Sequence, residues 1–135
     1  MPELAALTTT ASLGAMLFFS SVTAPTVFRV LAEEDGGRFL RALFPQYFAV
    51  NGLLALAAGV IAARPLESMI LVLCGATMLI VRFFAIPTIN SARDAMLEGD
   101  ARAAKRFARW HRGTVIVNTL EMIGLAIATY LLLAS

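Results

Sequence analysis

Apolar residues run almost without interruption through four stretches of the chain, residues 4–31, 44–63, 66–86 and 113–133. Each approaches the roughly 20 residues a helix needs to cross a hydrocarbon layer of about 30 Å. Between Pro87 and Arg112 the composition turns polar, but the only glycine is Gly99, in the sequence Glu98, Gly99, Asp100. That triplet reads as a helix stop, a turn and a helix start, so the third and fourth helices extend past the bilayer as one antiparallel hairpin. Glu33, Glu34 and Asp35, followed by Gly36 and Gly37, mark an earlier turn, with Asp35 as the expected N-cap of the second helix. The pattern predicts an all-α, integral membrane four-helix antiparallel bundle, a single transmembrane domain over residues 1–135 with helices at about 4–31, 37–63, 66–97 and 101–133.

Smaller features refine the helices. Thr8, Thr9, Thr10 and Ser12, then Ser20, Ser21 and Thr23, are placed to return hydroxyl bonds to their own helix or to reach a neighbour. Pro25 and Pro45 interrupt backbone donation and predict a kink and a bend. Phe44, Tyr47 and Phe48 read as aromatics at headgroup depth. Ala55 with Gly59, and Gly124 with Ala128, form small-xxx-small pairs that let helix backbones approach closely.

Composition agrees: of 135 residues, 59% are hydrophobic and 15% charged, which excludes a soluble domain of ordinary composition. The net charge of +2 does not imply a nucleic-acid partner, because the basic residues flank the membrane stretches. Arg29, Arg38 and Arg41 follow the first stretch, and Arg93, Arg102, Lys105, Arg106, Arg109 and Arg112 lie between the third and fourth; Arg64 stands alone in the second loop. The positive-inside rule then places the first and third loops, and the long hairpin, in the cytoplasm, with Met1 and Ser135 on the other side. Glu3 without a basic neighbour does not resemble the start of a cleaved signal peptide, so the first helix is expected to remain. The expected location is a bacterial-type cytoplasmic (inner) membrane, with the lipid bilayer as partner and a homo-oligomer or larger membrane complex as further possibilities.

Arg82 and Glu121 interrupt two of the apolar stretches. A charge at mid-bilayer costs about 2.5–3.5 kcal/mol on insertion scales, so both are expected to face a polar interior and to pair. With the turn centred on Gly99, Arg82 comes level with Asn118, and Glu121 lies one helical turn away. His111, Thr114, Asn118 and Glu121 share one face of the fourth helix. At the hairpin's base Asn90, Arg93 and Asp94 fall near Arg106, Arg109 and Trp110, with Asp94 and Arg106 as the natural ion pair. This polar seam has three readings: a structural lock between the helices, a water-lined or ligand-binding cleft, or a catalytic site.

The Ala24-Pro25 pair before Phe28, the Leu-Phe-Pro-x-Tyr sequence from Leu43 to Tyr47, and His111 followed by Asn118 resemble the transmembrane protein 205-like family. Arg82 with Pro87 is similar to the arginine and proline at the cytoplasmic end of that family's third helix, with a one-residue departure in spacing from some relatives. The resemblance covers most of the chain and implies a four-helix integral membrane protein. It supplies no reaction and no catalytic residues.

Other chemistry finds little support. His111 is the only histidine and sits at the interface, so bis-histidine haem ligation within one chain is excluded. Cys74 and Met78 lie four residues apart on the third helix, Met122 comes level with Met78, and their sulfurs are ligands that copper(I) prefers, but core packing is the simpler role. No zinc-protease, nucleophile-elbow or phosphate-loop motif occurs. The expectation is a non-enzymatic membrane protein without a cofactor, whose seam serves ligand or ion handling or helix assembly. The alternatives are an accessory subunit of a larger complex and a haem- or soft-metal-binding redox protein.

Overall fold

The computed structural model describes residues 1–134. Four helices, α1 (Pro2–Val30), α2 (Glu33–Ile61), α3 (Pro65–Leu97) and α4 (Ala101–Leu133), are each long and apolar enough to cross a membrane. At about 1.5 Å per residue each is longer than a hydrocarbon layer of about 30 Å is thick. Each helix packs against the next, and α4 closes the bundle against α1. The second helix begins at Glu33, with Ala32 as its N-cap. Asp35 therefore lies inside the first turn and does not cap it. Glu33, Glu34 and Asp35 all occupy that turn, where their charge meets the positive end of the helix dipole.

At the opposite end the Met1 ammonium donates to the Ile61 carbonyl (3.0 Å), and an Arg64 guanidinium nitrogen donates to the Leu131 carbonyl (3.3 Å). The beginning of α1, the α2–α3 turn and the end of α4 thus gather at one end of the bundle. Ser135 lies outside the described residues.

The exterior is apolar, and small residues recur in the interior between larger ones such as Phe48 and Leu71. Leu53, Val60, Leu73, Ile80, Phe83, Phe84 and Leu120 are exposed, while Ala5, Ala55, Ala58, Ala62, Ala103 and Ala128 are fully buried. So much exposed apolar surface marks a face that meets lipid. Without a hydrophobic drive between helices in lipid, close backbone packing takes its place. Glycine supplies that closeness between α2 and α3: a Cβ at Gly75 would stand 2.7 Å from the Gly52 carbonyl oxygen, and one at Gly59 would stand 2.8 Å from Val72. Gly124 similarly receives the Cys74 sulfur from α3.

Two helices contain a π-helical turn, Phe19–Thr23 in α1 and Val81–Ala85 in α3. Each ends where a backbone N–H reaches five residues back, Ala24 to the Phe19 carbonyl and Ile86 to the Val81 carbonyl. Pro25 and Pro87 follow immediately. A proline frees a carbonyl one turn earlier, and a widened turn is a recognised way for a membrane helix to accommodate it. Pro45, by contrast, lies within α2.

The α3–α4 turn matches its sequence signal. Gly99 adopts φ +98, and Asp100 accepts from the Arg102 (2.8 Å) and Ala103 (3.1 Å) backbone N–H groups as the N-cap of α4. The expected Asp94–Arg106 pair does not form. Asp94 instead receives two hydrogen bonds from Arg41 of α2 (2.6 and 2.7 Å), and Arg106 lies 3.8 Å from Asp100. An arginine can align both guanidinium nitrogens with a carboxylate, so the better-placed cation on the neighbouring helix wins. The pair lies beyond the apolar stretch that ends at Ile86, and the Arg41 hydrogen bonds hold the Asp94 carboxyl below its ordinary range.

Gly75→Ala is expected to lower the thermal unfolding midpoint in detergent, by an overpacking penalty of about 1–3 kcal/mol, because the new methyl group meets backbone atoms. Gly14→Ala, where nothing lies within 4 Å, is expected to leave the midpoint unchanged or raise it.

Candidate functional site

Polar side chains inside the bundle form a connected string across three helices. The Ser12 hydroxyl of α1 donates to Asn51 Oδ1 of α2 (2.8 Å), and Asn51 Nδ2 donates to the Tyr47 carbonyl one turn earlier (2.8 Å). The Tyr47 hydroxyl then donates to Asn118 Oδ1 of α4 (2.9 Å). Ser20, in the π turn of α1, approaches the same phenol group. These bonds have a physical cause, since a polar group in a water-free interior must find a partner within the protein. Several hydroxyls outside the string return to their own helices, Thr8 to Leu4, Thr77 to Leu73, Thr114 to Trp110 and Thr119 to Val115, whereas the buried Thr129 hydroxyl has no partner among the described residues.

Tyr47 is anchored on its other side by aromatic packing. Its ring centroid lies 4.7 Å from Phe19 of α1 and 5.0 Å from Phe48, and Phe44 completes the cluster. The residues expected at headgroup depth thus pack inward, where they hold the phenol toward α4.

Glu121 breaks the rule that the string obeys. It is 3% exposed, and neither carboxylate oxygen has a hydrogen-bond partner among the described residues. Asn118 precedes it by one turn and is engaged by Tyr47. Cys74 of α3 lies behind it, with Sγ 4.0 Å from the Glu121 backbone carbonyl. Among the described residues no ion pair reaches the carboxylate.

Arg82, the expected partner, points elsewhere. It is half-buried, with its guanidinium carbon 5.1 Å from the ring centroid of its neighbour Phe83, and Phe83 is itself exposed. Among the described residues no bond joins Arg82 to Asn118 or Glu121. The reason is local: Arg82 lies inside the π turn Val81–Ala85. A widened turn changes the direction of side chains from that of a regular α-helix, on which the facing of Arg82 and Asn118 had been reckoned.

Of the remaining seam residues, Thr114 is half-buried and His111 is exposed, stacked on Phe107 with centroids 5.7 Å apart. Asn90 and Arg93 are half-buried on α3, and Arg109 is exposed on α4. Arg93 extends its guanidinium across Gly37 of α2, where no side chain obstructs it. Met78 is fully buried, and Met122 packs against the same core. A cleft of about 510 Å³ opens at the Gly99 end between α2 and α3, where Arg38, Arg41 and Arg93 meet Glu33 and Glu34. Its charges are mixed and open to solvent, which makes Glu121 the more unusual site.

Asn118 is thus joined to Tyr47, Asn51 and Ser12, which sequence reasoning had not assigned to the seam, while Glu121 follows one turn later outside the string. Asn51 carried a usable signal, being an amide inside an apolar stretch, as Asn118 is. The family model described as a domain of unknown function (DUF4149) matches residues 7–98, more than half of the chain. The match covers both π turns and Tyr47, whereas Asn118 and Glu121 lie beyond it. No curated protein and no solved structure matches the chain.

Tyr47→Phe is expected to destabilise the protein in detergent by about 1–3 kcal/mol, because it strands the Asn118 amide oxygen, and a second change, Asn118→Leu, is expected to restore part of the loss. In a double-mutant cycle, Arg82→Met and Glu121→Gln should add to within about 0.5 kcal/mol, as for residues that share no contact. A coupling well above that in thermal unfolding would show that the two charges do pair.

Proposed function

Because the chain belongs to the DUF4149 family, a domain of unknown function, we propose a function from the buried polar site itself: a small, non-enzymatic membrane protein that handles a small ligand or ion at Glu121. One observation carries the reading. A carboxylate group that is 3% exposed has two oxygens without a hydrogen-bond partner among the described residues, and a purely structural lock would have satisfied them. An ionisable group inside a membrane helix is costly, and such groups mark ion or substrate pathways. The two π turns support the same reading, since widened turns recur at functional sites and one of them carries Ser20 against the Tyr47 phenol.

The proposal includes the setting. The chain lies in a bacterial-type cytoplasmic membrane, with the Gly99 turn inside and the α2–α3 turn outside, on the strength of the arginines that flank Gly99 and follow α1. It also keeps the likeness to the transmembrane protein 205-like family, carried by Ala24-Pro25 and the Leu43 to Tyr47 sequence.

Native mass spectrometry of the protein released from membranes, together with ion and solute flux in liposomes, tests the function. The expected outcome is a retained ligand or a flux that Glu121→Gln abolishes while the fold survives. Neither ligand nor flux in the parent protein, or a partner subunit seated on α4 in place of both, would overturn it. For the setting, single cysteines in a Cys74→Ala background are expected to react with an impermeant reagent in intact cells at Ala63, and at Glu98 only after permeabilisation.

A further inference from the structure

We infer that the ion bound at Glu121 is a proton, taken up and released at the carboxyl group within the bundle. The inference rests on the proposed role of Glu121 and names its ligand.

The geometry selects among ions by volume and by ligand count. Both carboxylate oxygens are closed off from solvent, and the side chain sits among buried atoms of the bundle. A metal cation needs several oxygen ligands and space of its own. Glu121 offers one carboxylate, and its polar neighbour Asn118 already spends its amide oxygen on Tyr47. Among the described residues no group of three or more His, Cys, Asp or Glu side chains surrounds it. A proton needs no additional ligand and no volume. It also removes the charge that makes a lone carboxylate so unfavourable in this surrounding.

The groups that face the site have complementary parts. From α2 comes the Tyr47 hydroxyl, bonded to Asn118 one turn before Glu121, and from α3 the Cys74 thiol, which lies against the Glu121 backbone carbonyl; on α1, Ser12 is bonded to Asn51 and carries no group that titrates near neutrality. Arg82, the only cation in the apolar part of α3, is turned toward Phe83 and leaves the carboxyl without a counter-charge. The step is simple: one O–H bond forms at a Glu121 oxygen with a proton drawn from solvent, and the same bond breaks on release.

Infrared difference spectroscopy on the full chain in lipid nanodiscs tests this. At neutral pH the parent is expected to show a carboxylic-acid C=O band that Glu121→Gln removes, that Glu121→Asp moves, that shifts on transfer to deuterated water, and that converts to carboxylate absorption as pH is raised. The aspartate variant keeps the test open if the glutamine variant does not fold. A Glu121-dependent carboxylate band at neutral pH would overturn the proton reading while leaving ion handling in place, with a different cation. An acid band that neither exchanges deuterium nor titrates would overturn it as well. Absence of flux or retained ligand bears on the broader function and leaves this measurement unaffected.

Discussion

In the interior of a bundle surrounded by lipid no water stands ready to satisfy a polar group, and the rest of this structure is arranged around that constraint. Threonine hydroxyls bond to carbonyls of their own helices, Ser12 bonds to Asn51, and Tyr47 bonds to Asn118. The close contact of Gly52 with Gly75 follows from the same cause: helices that gain nothing from excluding water must gain from contact, and contact requires that side chains be absent. Against this background the two free oxygens of Glu121 are a departure that packing alone does not explain.

The apolar lengths made the four helices legible, because crossing a hydrocarbon layer imposes a length that composition displays directly. The Gly99 turn was equally legible, since a left-handed glycine before an aspartate cap is a local event. Asn118 and Glu121 stood out as polar residues in an apolar helix. The error at Arg82 has a definite origin, because depth was counted along a regular α-helix and the π turn Val81–Ala85 interrupts it. Asp94 was assigned to Arg106 by considering the hairpin alone. The decision in fact lay with Arg41, a residue distant in sequence that only the packing of α2 against α3 brings near.

The two halves of the bundle share a pattern. α1 and α3 each carry a π turn followed by a proline, and α2 and α4 each carry Val-Asn-x-Leu, at Val50 to Leu53 and at Val117 to Leu120. Both asparagines take part in the interior string, Asn51 with Ser12 and Asn118 with Tyr47. Repeated hairpins of like orientation are a known plan among membrane proteins, with binding sites where the halves meet.

The halves differ one turn after those asparagines, where α2 has Leu54 and α4 has Glu121. Leucine at that depth needs no partner, and a second apolar residue at the α4 position would have cost the bundle nothing in desolvation. The carboxyl therefore stands at the point where the shared pattern stops, close to a hydrogen-bonded tyrosine and unpaired with Arg82, the arginine of the facing apolar stretch. A group placed to stabilise the bundle would sit where its charge is met; one placed to exchange an ion must sit where its charge is not.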